Sequence, residues 1–308
     1  MTRPQKLSEF ICSTDICNSI NITLGAAKMQ HRTFPHTLIT GPPGTGKTTL
    51  AYVLANELDA DIHEVMSNSI TSEKQITSLF MRCKQGDVVF IDEIHSLKSN
   101  ISEILYPIME DFKMTVTVMN RPFQHNISPI TIIGATTDPS TMLPPLMDRF
   151  GFTIQLSLYD NSNLSSIIEK YAKNKKYPIT LDTDCSTIIA KVSRGTPRIA
   201  ISYTDRIMDY LTVTSIDSPS PKDILNGLNL IGIDENGLTS VDHRIISTIY
   251  YNEPMSLAIL SSMTGIQEKD LTSIYEPFLI GHGYIARTTR GRVLNEEGYN
   301  LMRLKTSI

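Results

Sequence analysis

Eight residues, Gly41-Pro42-Pro43-Gly44-Thr45-Gly46-Lys47-Thr48, constrain the fold of this 308-residue chain more than any other stretch. They match the spacing G-x-x-x-x-G-K-[ST] and follow the apolar pair Leu38-Ile39. Behind them Ala51, Leu54, Ala55 and Leu58 recur at i, i+3, i+4 and i+7, one face of a helix. A strand, a glycine loop and a helix in that order belong to an open parallel sheet, whose ligands collect at the carboxyl ends of the strands. Glycines let successive backbone N–H groups curl around a phosphate, and the helix N-terminus adds its positive dipole end. Lys47 then reaches the β and γ oxygens, while the Thr48 hydroxyl ligates Mg2+. ATP with Mg2+ is the expected ligand, held by Pro43, Gly44, Thr45, Gly46, Lys47, Thr48 and Thr49.

Forty-five residues after Lys47, the run Val88-Val89-Phe90-Ile91 ends in Asp92-Glu93. Asp92 suits Mg2+ through its water shell, and Glu93 suits the base or positioner that aims a water at the γ-phosphate. An acidic pair after a strand can also cap a helix; beside a phosphate loop it reads as a hydrolysis site. His95 is adjacent and reads as structural.

Further apolar runs, Ile62 to Met66, Ile130 to Ala135 and Phe152 to Leu156, alternate with helical patterns. The expectation is an α/β core, a parallel sheet flanked by helices, over 1–158. Past Tyr159 the strand runs stop and helical patterns take over (Leu164, Ile167, Ile168 and Tyr171), giving a small helical domain over 159–234. Thr212 to Pro221 reads as a loop within it, and Gly232 to Gly237 as the boundary after it. The remainder, 235–308, holds three short helical patterns and a hairpin, Tyr284 to Arg287 turning through Thr288 to Gly291 into Arg292-Val293-Leu294. Helices followed by a two-stranded wing suggest a winged helix-turn-helix.

Composition excludes several classes. No stretch approaches eighteen uninterrupted apolar residues and Met1 to Lys6 carry no apolar signal core, so a cytoplasmic protein with no membrane association is expected. A net charge of -4 argues against nonspecific coating of nucleic acid but leaves room for a local basic patch. Arg287, Arg290 and Arg292 supply one, with no acid among them, and phosphate contact with DNA is their natural use. The four cysteines, Cys12, Cys17, Cys83 and Cys185, are scattered and read as ordinary reduced thiols.

The chain resembles the AAA+ ATPases and, more narrowly, the RuvB family of motors that drive branch migration of Holliday junctions. The likeness rests on the phosphate loop and on Phe90 to His95, Ile104 to Phe112, Ile133 to Thr137, Asp148 to Gly151, Arg194 to Ala200, Tyr275 to Ile280 and Arg287 to Arg292. It implies an AAA+ core, a helical lid and a C-terminal winged helix. It implies Thr136 or Thr137 as sensor 1, Arg149 as an arginine finger reaching a neighbouring subunit, and Arg198 as sensor 2. It also implies Arg3 and Tyr159 at the adenine end, with Glu110, Asp111 and Phe112 among the nucleotide-binding residues. The implied partners are the arms of a four-way DNA junction, further copies in a hexameric ring, and a RuvA-type junction-binding protein. The alternatives are a clamp-loader-like ATPase and an ATP-switched DNA-binding assembly factor. The chain departs from the family pattern in a shorter stretch from Lys113 to Ser128 without a glycine-rich tip, in Ile11-Cys12-Ser13 for Ile/Val-Gly-Gln, in Asp138 and in Thr289.

Overall fold

The computed structural model describes residues 3–118 and 121–306; Met1, Thr2, Met119, Asn120, Ser307 and Ile308 lie outside them. Two compact units emerge, Met1–Lys176 with Gly195–Ile199, and Tyr177–Arg194 with Ala200–Ile308.

In the first unit the five expected apolar runs become five strands. They are β1 (Thr37–Thr40), β2 (Ile62–Met66), β3 (Val88–Asp92), β6 (Thr131–Thr136) and β7 (Phe152–Gln155), parallel in the order β2-β3-β6-β1-β7. Around them come α1 (Thr14–Met29), α2 (Lys47–Glu57), α3 (Glu73–Phe80), α4 (Ser99–Asp111), α5 (Pro144–Met147) and α6 (Asn161–Lys175). β4 (Lys113–Val118) and β5 (Arg121–Asn126) pair antiparallel in a separate two-stranded sheet.

Neighbouring strand residues point to opposite faces, so a strand covered on both sides must be apolar throughout. Leu38, Val89, Ile91 and Ile132 join one core with Ile76 and Phe80 of α3 and Ile101, Leu105 and Ile108 of α4. Ile39, Val88, Phe90 and Ile133 join the other with Leu24 of α1 and Leu50, Val53 and Leu54 of α2. The strand order also positions chemistry. β3, β6 and β1 are consecutive, so Asp92, Thr136 and the loop that follows Thr40 leave the sheet side by side.

At the other end of these strands His36 is tied down through both ring nitrogens. Nδ1 accepts the Ile132 amide at 2.9 Å and Nε2 faces the Met109 carbonyl at 3.2 Å, a pattern only the neutral ring satisfies. Burial lowers its pKa from 6.5 to about 4, against a smaller upward pull from the Met109 carbonyl. The folded state then binds fewer protons than the unfolded one between those values, so stability is full above pH 6.5 and drains as pH falls toward 4. The loss should be on the order of 3 kcal/mol, read from denaturant midpoints across that range, and His36→Gln should flatten that part of the slope.

Cys12 and Cys17 correct the reduced-thiol expectation: they form a disulfide with Cα atoms 6.3 Å apart. Ser13 caps α1 by accepting the Ile16 amide, and that first turn carries Cys17 back over the residue just before the cap. Cys83 and Cys185 are free and buried, as expected.

The second unit holds α7 (Thr183–Val192), most of α8 (Pro197–Val213) and α9 (Pro221–Leu230). It continues through α10 (Ser240–Asn252), α11 (Leu257–Thr264) and α12 (Glu268–Asp270), then a π-helical stretch, Leu271–Tyr275, into α13 (Glu276–Gly281). The hairpin β8 (Ile285–Thr288) and β9 (Gly291–Leu294) follows, and α14 (Glu296–Thr306) ends the described chain. Leu238, Ile245, Ile249, Leu260, Leu271, Leu279, Ile285 and Leu294 form the core of this winged helix. The stretch from Gly232 to Gly237 is tied down. Arg194 donates to the Gly237 carbonyl at 2.8 Å and to buried Asp242 of α10 at 2.5 Å, and its guanidinium lies 3.9 Å from the Phe278 ring centre. No helix among the described residues is long and apolar enough to cross a membrane.

Candidate functional site

The loop after β1 takes the shape its glycines permit. Gly44 (φ 79°) and Gly46 (φ 102°) sit in the left-handed region, and a Cβ on Gly44 would meet the Thr196 methyl at 2.7 Å. Thr45 is fully buried and its hydroxyl closes the loop on the Pro42 carbonyl at 2.8 Å. Pro43 is exposed on the outside, and Thr49 follows half-buried in the first turn of α2. The Lys47 ammonium folds over the loop, donating to the Gly41 carbonyl at 2.8 Å and the Pro42 carbonyl at 3.0 Å. Burial lowers its pKa, Glu93 and Asp92 pull it back up, and Arg198 lowers it further. A cation held among loop carbonyls and poised over N–H groups is arranged for an anion.

Thr48 and Asp92, proposed from sequence as Mg2+ ligands, meet across two elements. Thr48 Oγ1 donates to Asp92 Oδ2 at 3.2 Å. A hydroxyl and a carboxylate at this separation are a fitting hard-oxygen pair for Mg2+, which keeps most of its water and takes one or two protein ligands. The Ser67 hydroxyl steadies the strand end by donating to the Asp92 carbonyl at 2.8 Å.

Glu93 has a left-handed backbone (φ 50°) that breaks β3 into a short 3-10 turn, Ile94–Ser96. Its carboxylate crosses to β6, where Oε2 accepts from the Thr137 hydroxyl at 3.1 Å and the Thr137 amide at 3.4 Å. Thr137 is therefore the sensor-1 candidate that touches Glu93. Thr136 is fully buried; its hydroxyl accepts the Asp138 amide at 3.0 Å and lies 2.9 Å from His95 Nδ1. That same nitrogen is 3.3 Å from Glu93 Oε2, a proximity the sequence reading of His95 as structural did not include. Spacing could not show this, because the kink at Glu93 decides where His95 points.

Arg198, in the first turn of α8, is exposed beside the loop and its amide donates to the Gly44 carbonyl at 3.3 Å. Tyr159 donates to the Ile11 carbonyl at 2.9 Å, and burial pushes its pKa up to about 12. Phe10, missed in the sequence, lies against Gly46. The Arg3 guanidinium sits over the Tyr52 ring on α2, 4.8 Å from the centre, where Gln5 and Leu7 fasten this segment along that helix.

Glu110, Asp111 and Phe112, expected among the nucleotide-binding residues, are not beside this chain's own phosphate loop. α4 runs back along the sheet, so all three stand at its far end, beside His36 at the start of β1 rather than beside the phosphate loop. Arg149 is at the same end, 2.7 Å from Glu110 Oε1, bonded to the Pro145 carbonyl and stacked 4.4 Å from the Tyr106 ring centre. Its Nε is buried without a hydrogen-bond partner among the described residues. A group of metal-type donors, His63, Cys83 and Asp87, lies at that end of β2 and β3 as well. Asp87 there is engaged by His63 at 2.8 Å and by the Lys84 amide at 2.9 Å, and burial pushes the Cys83 thiol to about 11.

On the wing, where no acid lies among the three arginines in sequence, one reaches two of them from α13. Glu276, fully buried at the start of α13, accepts from Arg292 Nε at 2.8 Å and from Arg287 Nε at 2.7 Å. Arg292, with a side chain 15% exposed, is a structural partner of that carboxylate, whereas Arg287 is 50% exposed and Arg290 stands out at the hairpin tip. Glu276→Gln should leave two cations short of their counter-charge and cost about 2–3 kcal/mol, less than a fully buried pair because Arg287 is half in solvent. Denaturant unfolding of the full chain measures it, and an unchanged midpoint would refute the wing's dependence on Glu276.

Family models describing RuvB match the chain end to end: the Holliday junction DNA helicase RuvB P-loop domain over 2–156, the RuvB AAA lid domain over 159–234 and the RuvB C-terminal winged helix domain over 235–303. The Holliday junction branch migration complex subunit RuvB of Thermotoga maritima is 36% identical over 304 residues, 96% of this chain and 90% of the relative. The same subunit of Fervidobacterium nodosum is 37% identical over 311 residues, 99% of this chain and 89% of the relative. A solved structure of the Thermotoga maritima RuvB Holliday junction branch migration motor superposes with a TM-score of 0.84 at 36% identity, covering 98% of each chain.

Proposed function

The chain belongs to the RuvB family of Holliday junction branch-migration proteins, and we propose that it is an ATP-driven motor that moves the arms of a four-way DNA junction. The observation that carries the reading is the meeting of Thr48, Asp92 and Glu93 behind a phosphate loop, with one Glu93 oxygen, Oε1, left without a partner among the described residues. Loop amides and Lys47 bind the β- and γ-phosphates of ATP, and Thr48 and Asp92 hold Mg2+, which when bound neutralises phosphate charge. Glu93 Oε1 takes the proton of the attacking water, and Thr137 keeps the carboxylate on station. Arg198 reaches the phosphates from the lid side. Tyr159 covers the other end of the nucleotide.

Arg149 works in trans. It stands across the sheet from its own phosphate loop, so it can complete only a neighbour's site, and head-to-tail copies repeating that contact close into a ring, six in the family reading. Glu110, Asp111 and Phe112 share that boundary. The three parts, 1–158, 159–234 and 235–308, then serve as core, lid and DNA-contacting winged helix, with Arg290 and Arg287 on the DNA backbone. A cytoplasmic setting and a RuvA-type loading partner complete the proposal.

The test is branch migration of a synthetic four-way junction with and without a RuvA-type protein. Strand products that require ATP and Mg2+ support the motor. Junction DNA that neither stimulates ATP hydrolysis nor is migrated would overturn it.

A further inference from the structure

His95 sits where two parts of the hydrolytic machinery approach each other. The left-handed turn at Glu93 and the 3-10 turn behind it bring the imidazole back across β6. Nδ1 then lies 2.9 Å from the Thr136 hydroxyl and 3.3 Å from Glu93 Oε2. The Thr137 hydroxyl and amide both donate to Oε2, and His95 Nδ1, hydrogen-bonded to the Thr136 hydroxyl, packs against that same oxygen. The other oxygen, Oε1, has no partner among the described residues. A carboxylate pinned through one oxygen turns the other in a fixed direction, and the free oxygen is the one that can receive a proton.

Thr136 gives His95 its own orientation. It is fully buried in β6, and its hydroxyl already takes the Asp138 amide at 3.0 Å, so it is a rigid post rather than a solvent-facing rotor. We propose that His95 is a positioning residue for ATP hydrolysis: it fastens Glu93 to the end of β6 and so aims Oε1 at the attacking water. The proposal rests on Glu93 as the group that activates water. It predicts that the Nδ1 position matters and the Nε2 position does not, because only Nδ1 faces Glu93 and Thr136.

Asparagine places an amide nitrogen near the Nδ1 position, whereas glutamine reaches the Nε2 position and alanine supplies neither. Steady-state ATP hydrolysis by the full-length protein with junction DNA, comparing His95→Asn, His95→Gln and His95→Ala, reads the difference. His95→Ala and His95→Gln should lose about 10- to 100-fold in kcat, the scale of a misaimed reacting group, with KM for ATP within about twofold of the parent. His95→Asn should recover most of that loss. A merely structural histidine would move KM and stability together and would not separate asparagine from glutamine. The proposal is overturned if His95→Ala keeps the parent kcat, or if asparagine is no better than alanine. A parent protein that hydrolyses no ATP with junction DNA would instead remove the hydrolysis reading itself, so the two failures are told apart by the parent measurement.

Discussion

Glu93→Gln should bind ATP as tightly as the parent chain, within about threefold, and hydrolyse it at least ~100-fold more slowly. The expectation follows from which oxygen is free. Glu93 Oε2 is held by the Thr137 amide and hydroxyl, and an amide oxygen in its place accepts the same hydrogen bonds, so the loop geometry survives the change. What glutamine cannot do is take a proton at the position of Oε1. Binding belongs to Lys47, the loop amides and the Thr48–Asp92 pair, none of which changes. The two outcomes separate readily: phosphate release measures kcat, and a fluorescent nucleotide measures affinity. Hydrolysis within fivefold of the parent would remove Glu93 from the base role. Junction migration should stop with hydrolysis, whereas a protein that only switches between bound states would keep its biological effect while holding ATP.

The parallel core was legible because strands buried on both faces have to be apolar along most of their length, as in the central β1, β3 and β6, while the edge strands β2 and β7 are half exposed and carry polar residues. Thr48 and Asp92 were legible for a related reason. Their separation in space follows from strand order once both motifs are placed at strand ends. Side-chain direction was the harder quantity. His95 turns toward Glu93 only because Glu93 adopts a left-handed conformation, which no spacing rule gives. Eleven and sixteen residues separate Glu276 from Arg287 and Arg292, and only the packing of α13 against the hairpin delivers its carboxylate to them. Glu110, Asp111 and Phe112 follow a helix that carries them to the opposite end of the sheet, and sequence order alone does not show which way that helix runs. The Cys12–Cys17 pair depends on how the cap at Ser13 starts α1.

Arg149→Ala should abolish most ATP hydrolysis in the assembled protein, on the order of 10³-fold, without weakening nucleotide binding by a single chain. Arg149 contacts Glu110, Tyr106 and Pro145, at the end of the sheet away from Lys47, so its removal leaves its own chain's phosphate loop intact. Its pairing with Glu110 is cheap to break, because the carboxylate is more than half exposed and such pairs are worth no more than about 1 kcal/mol. A guanidinium released from that pair can move toward the charge on a neighbour's γ-phosphate, where a rigid, always-charged group is most effective. Mixing supplies the decisive measurement. Lys47→Ala chains are inactive for want of a phosphate-binding ammonium but keep Arg149, and Arg149→Ala chains keep the phosphate loop. If each active site is shared between neighbours, a mixture of the two inactive proteins forms some boundaries with Arg149 from one chain and Lys47 from the next, and hydrolysis reappears. If Arg149 serves its own chain, every site in the mixture lacks one of the two groups and the mixture stays as inactive as its parts.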